Sequence, residues 1–177
     1  DMRKMGGLKK YMPITYWTSL IGSLALIGTP GFSGFFSKDM IIEAVKHSGL
    51  PGAEGVYYVV LAGVFITAFY SFRMFFLVFH GEERMDQHTK DHLHETPWVV
   101  TFPLIALAVP SVLIGGFTIG PMLFGEYFGN AVYIAEGHDV LSQIHFSSAI
   151  ALVQHAFVTP AFWLAFAGVA FAAGAGA

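Results

Sequence analysis

Lys38 and Asp39 are the side chains in this 177-residue sequence whose setting most plainly calls for chemistry. They stand in an otherwise apolar stretch, GFFSKDMIIEAVK, at residues 34–46. At helical spacing Lys38 shares its face with Gly34, Phe35, Ile41, Ile42 and Val45, none of which can pair with it. Asp39 shares its face with Glu43 and Lys46, at i+4 and i+7, so Asp39, Glu43 and Lys46 make a polar stripe leading outward. A charge near the centre of a bilayer costs from ~3 to above 10 kcal/mol, so it rarely sits there idly. Desolvation favours the neutral amine of a lysine, and Lys38 therefore reads as a group that gains and loses a proton. The competing reading is a structural ion pair between Lys38 and an acid on another helix. The position of Lys38 just after a chain break favours the proton carrier.

That break is Gly28-Thr29-Pro30-Gly31-Phe32-Ser33-Gly34. Gly28, Pro30, Gly31 and Gly34 are too dense a set of breakers for a simple proline kink. Unwound backbone at membrane depth is tolerated where protein or a water-filled cavity covers it. Arg73 lies near the end of a later apolar run and reads as a snorkelling side chain. Tyr70, three residues before it, could share a polar patch with it, beside Thr67 and Ser71. His88, His92 and His94 belong to an acidic loop; His88 and His92 have metal-ligand spacing, but no acid or Cys completes a pattern. His138, His145 and His155 are scattered where they could buffer protons at a channel mouth. No phosphate loop, dinucleotide fingerprint or catalytic triad appears.

The elements that must position these residues follow from composition. Charged residues are 12% of the chain against 55% hydrophobic, with 18 Phe and a mean hydropathy of +0.61. Charged residues make up ~25% of ordinary soluble domains, so a soluble globular fold is excluded. The net charge of −3 leaves no basic face for nucleic acid. Zero Cys removes disulfides, iron–sulfur clusters, thiolate zinc sites and Cys nucleophiles. The chain reads as an all-α, polytopic membrane helix bundle.

A span needs ~20 mostly apolar residues. Runs at 56–80, 98–118 and 157–177 qualify. The stretch 12–47 is interrupted at 28–34, and its two pieces, ~24 Å and ~20 Å long, read as one discontinuous helix. With four spans, Arg3, Lys4, Lys9, Lys10, Arg84 and Lys90 fall on one side and Lys46 on the other. The positive-inside rule then places 1–11 and 81–97 in the cytoplasm and 48–55 and 119–156 outside, the last lying along the outer interface. The polar start at Asp1 and the apolar final residues give the expectation of a piece of a longer membrane protein without a signal peptide.

Three stretches, DMRKMGGLKK, PITYWTSLIGSLALIGTPGFSGFFSKD and HETPWVVTFPLIALAVPSVLIGG, resemble a known family. It is the large antiporter-like subunit of respiratory complex I (NADH:quinone oxidoreductase), called chain L in bacteria and chain 5 in mitochondria. The resemblance covers the whole chain, most specifically at GFFSKD and least at 119–156. It implies a core of two inverted five-helix repeats, each with a broken helix bearing a functional lysine. This piece would follow the eleventh span and hold spans twelve to fifteen, with Lys38 as the terminal lysine that passes protons outward and Asp39 beside it. The family's function would be proton translocation coupled to electron transfer from NADH to quinone. NADH, FMN, iron–sulfur clusters and quinone would lie in partner subunits, with no cofactor here. Partners would be other membrane-arm subunits and the lipid bilayer, in a bacterial inner membrane or the mitochondrial one. Alternatives are the large subunit of a multisubunit Na⁺/H⁺ antiporter, a formate hydrogenlyase membrane arm, and a structural anchor with an inert Lys38.

Overall fold

The computed structural model describes residues 1–134, 139–144 and 147–175, and among these all regular structure is helical. After two short 3₁₀ turns come α1 (Pro13–Ile27) and α2 (Ser33–Lys46), followed by α3 (Ala53–Phe79) and the short α4 (Gln87–Asp91). The chain continues through α5 (Trp98–Ile119), α6 (Ala149–Ala156) and α7 (Pro160–Ala175).

α1 begins at Pro13, where the missing N–H costs nothing, and its first free amides find an acceptor in Glu95. The helix stops at Gly28, whose φ of 80° is left-handed. Gly28 N–H donates to Ala25 O and Thr29 N–H to Leu24 O, which closes the last turn and forbids its continuation. The interruption is shorter than the seven residues read from the sequence. Ser33 and Gly34 already belong to α2. Gly34 serves close packing instead: a Cβ there would stand 1.9 Å from Ala25 O of α1.

α3 lies against α7 through small residues. Ala165, Gly168 and Ala172 fall on one face of α7, and a Cβ on Gly168 would be 2.6 Å from Phe65 O. The C-terminal end of α3 supplies Phe72, Phe75 and Phe79, which pack with Tyr16 of α1 in one core. A second core joins Phe35, Phe36 and Met40 of α2 to Ile119, Leu152 and Ala156. Gly115 of α5 sits at the start of α2, where a Cβ would be 2.6 Å from Ser33 Cα.

Two segments are long and apolar enough to cross a membrane, Ala53–Phe79 and Trp98–Phe124. The pair α6 and α7 passes the same test together, bent by 60°, while α1 is apolar but shorter. Two features depart from the sequence reading. α5 runs on through a π-helical turn at Gly120–Phe124, past the expected end at 118. The segment 119–156 is not simply a surface loop, because α6 buries Leu152 and Ala156 against α2. Thr159 then starts α7, its hydroxyl donating to Ala156 O at 2.8 Å and accepting from Phe162 N–H at 3.4 Å. His138 and His145 lie outside the described residues.

Candidate functional site

The geometry around Lys38 starts from Gly28. The lysine stem lies over that glycine, so that a Cβ on Gly28 would be 3.3 Å from Lys38 Cδ. The left-handed turn that ends α1 thus leaves the room that the Lys38 chain occupies. Pro30 lines the space beyond it, while around Gly31, at φ 95°, no other atom comes within 4 Å of a would-be Cβ. Lys38 is half-buried, and among the described residues its ammonium forms no hydrogen bond or ion pair. Asp39, one residue on, is 7% exposed and likewise unpaired among the described residues. Glu43 is engaged: Lys46 Nζ lies 3.2 Å and His47 Nδ1 3.5 Å from its carboxylate. The outward stripe is therefore a free buried acid followed by a paired one.

Two cavities meet at Asp39. The first, about 20 Å³, lies at the interruption and is lined by Gly28, Pro30, Lys38, Asp39 and Thr159 among others. A space of that size has room for one water, with Lys38, Asp39 and Thr159 as its polar side chains. The second, about 360 Å³, is lined by Asp39, Glu43, His47, Gln143, Ser148 and His155 among others. Among the described residues Asp39 is the one that lines both. A carboxyl group in that position can accept a proton from a water shared with Lys38 and present it to a wide polar vestibule. The sequence reading named His155 as a proton buffer at a channel mouth but did not set it opposite the α2 stripe. His155 comes from α6, which nothing local in the sequence ties to α2.

The secondary candidates do not join this site. Tyr70 and Arg73 are exposed on α3, with no hydrogen bond or ion pair among the described residues. Ser71 between them is buried, with its Oγ unpaired among the described residues. The rings of His88 on α4 and His92 just after it lie 4.8 Å apart, and no metal-sized cluster of His, Asp or Glu forms among the described residues.

Two acids in the polar loop hold the other end of the bundle. Glu95 accepts from Ile14 N–H at 2.6 Å and Thr15 Oγ1 at 2.7 Å, capping α1. Partial burial acts to raise its pKa, but the hydrogen bonds from Thr15, Ile14 and Thr96 together hold it below the usual carboxylate value. Glu83 pairs with both Lys10 and Lys90 and accepts from Tyr11 Oη at 3.3 Å. The Lys10 and Lys90 ammonium groups bring it down to about 2.

The family described as NADH:quinone oxidoreductase/Mrp antiporter, TM matches residues 1–69, which include α1, α2 and the first part of α3. NADH-quinone oxidoreductase subunit L of Neisseria meningitidis serogroup A is 52% identical over 96% of this chain. The subunit L of Rhodobacter capsulatus is 43% identical over 75% of it. NADH-ubiquinone oxidoreductase chain 5 of Chondrus crispus is 37% identical over 78%. The chain belongs to the subunit L/chain 5 family. It is an integral membrane protein, a polytopic helix bundle. It spans 28% of the length of the Neisseria relative, 19% of the Rhodobacter one and 22% of the Chondrus one.

Proposed function

We propose that this chain forms part of a proton-translocating membrane-arm subunit of an NADH:quinone oxidoreductase. Protons move here while electrons pass from NADH to quinone in other subunits. The observation that carries the reading is Asp39: it is buried, unpaired among the described residues, and lines both the one-water cavity at Lys38 and the polar vestibule. Lys38 is the carrier, Asp39 the next station, and Glu43 continues the route outward. Gly28 and Pro30 shape the cavity at the interruption; Gly34 lets α2 approach α1.

In this reading α1 and α2 form one discontinuous span, followed by α3, α5 and α7 as three more. Residues 1–11 and 81–97 face the cytoplasm, and the vestibule faces the opposite side. The chain itself holds no cofactor; NADH, FMN, iron–sulfur clusters and quinone sit in partner subunits of the same complex. The membrane is a bacterial inner membrane or its mitochondrial counterpart. The matching family also includes Mrp antiporters. The relatives' names favour the oxidoreductase, and the set of chains that co-purify with this one decides between the two.

The test is Lys38→Met in the assembled complex, reconstituted in vesicles. Fewer protons per electron, with the complex intact, is the expected result. An unchanged ratio overturns the reading.

A further inference from the structure

The vestibule wall opposite α2 carries a titratable group that the route above does not use. His155 lies in the last turn of α6, next to Ala156, which is buried in the core shared with Phe35, Phe36 and Met40. That anchoring holds the backbone of His155 beside the vestibule, whose lining includes the side chain. We propose that His155 is a proton-relaying residue, taking protons from Asp39 and releasing them at the vestibule mouth. The proposal rests on the proton-carrying reading of Lys38 and Asp39.

The groups that face the vestibule single out this histidine. From α2 come Asp39, Glu43 and His47, with Lys46 beyond; from the α6 side come the uncharged Gln143, Ser147 and Ser148. Glu43 pairs with Lys46 and lies 3.5 Å from His47 Nδ1, so its carboxylate already has neighbours on its own helix. His47 is tied to its own helix, with Nδ1 2.9 Å from Glu43 O. His155 is exposed, its ring makes no hydrogen bond or ion pair among the described residues, and it lines the same cavity as Asp39. Among the described residues it is the vestibule imidazole without a hydrogen bond, exposed to water and lining the cavity that the buried acid also lines. Imidazole takes up and releases protons in the neutral range. The step balances simply. The Asp39 carboxylic acid gives its proton, through vestibule water, to a ring nitrogen of His155, leaving carboxylate and imidazolium. The imidazolium then releases the proton to bulk water and returns to the neutral ring.

The experiment uses the complete complex in sealed vesicles, with proton release and electron transfer followed together. His155→Ala should slow proton release several-fold, and imidazole supplied on the vestibule side should restore it. His155→Gln, which keeps bulk and polarity but does not titrate, should show the same loss and serves where the alanine variant fails to assemble. Asp39→Asn is the reference arm. Normal pumping in both His155 variants beside a defect in Asp39→Asn overturns the role of His155 and leaves the wider reading intact. A defect in His155→Ala that imidazole does not relieve means a structural role, and also overturns it. Normal pumping in Asp39→Asn and Lys38→Met alike removes the wider reading and this one with it.

Discussion

Gly34 of α2 rests directly on the backbone of Ala25 in α1, so close that a Cβ would stand 1.9 Å from the Ala25 carbonyl oxygen. The obstacle is backbone, which cannot swing aside as a side chain would. Gly34→Ala should therefore part the two helices, at a cost of about 1–3 kcal/mol for an overpacked contact. The same movement would lift Lys38 from Gly28. A lower thermal midpoint of the complex together with reduced proton pumping is expected; unchanged values of both would contradict the close packing.

Lys38→Arg separates a proton carrier from a fixed charge. Guanidinium hardly deprotonates in proteins, so the variant keeps the positive charge but cannot cycle it. Proton pumping per electron should fall in this variant as it does in Lys38→Met. Asp39→Asn should lower it as well, because Asp39 lines both the space at Lys38 and the vestibule. Normal pumping by Lys38→Arg would mean that Lys38 only supplies a charge.

Glu83 ties the N-terminal segment to the 81–97 loop through Lys10 and Lys90. Its carboxyl is held at about 2, from an ordinary value of 4.5. A depressed carboxylate stabilises above its unfolded pKa, and the effect is lost as pH falls through the folded one. The tie should thus be intact at neutral pH and weaken only between about 4.5 and 2. Glu83→Gln should already be loose at neutral pH. Backbone hydrogen exchange at Lys10 and Tyr11 reads the difference, and equal protection in both proteins would refute it.

Topology can be read cleanly because the chain has no Cys. A single cysteine at Lys9 should resist a membrane-impermeant thiol reagent added outside intact cells, while one at Gln143, on the vestibule wall, should react. Labelling of Lys9 rather than Gln143 would invert the proposed orientation.

How much of this was legible depends on the range of the interaction. Gly28 and Pro30 announced a stop because left-handed backbone and a missing N–H are local properties. Gly34 misled for the same reason: breaker density cannot tell a glycine that ends a helix from one that lets two helices touch. Asp39 and Glu43 could be placed on one face by counting. That Glu43 pairs with Lys46 and His47 while Asp39 stays free depends on packing around each. α6 spans eight residues, too few for hydrophobic periodicity to declare itself, although Ser148 caps it by accepting from Ala151 N–H at 3.1 Å. Glu95 reaches Ile14 across 81 positions, and His155 reaches the vestibule from another helix altogether. No spacing rule spans such distances.

The unequal size of the two cavities that meet at Asp39 has an electrical consequence. A vestibule of about 360 Å³, whose lining includes Glu43, His47, Gln143 and Ser148, has room for many waters, which would polarise much as the adjoining solution does. The space at Lys38, with room for a single water, does not. In the proposed orientation the transmembrane voltage therefore falls mostly inward of Asp39, and little of it across the vestibule. A unit charge crossing the whole drop works against ~2.3 kcal/mol per 100 mV. That work would be done on the transfers inward of Asp39, the step from Lys38 among them, and little of it on release through the vestibule.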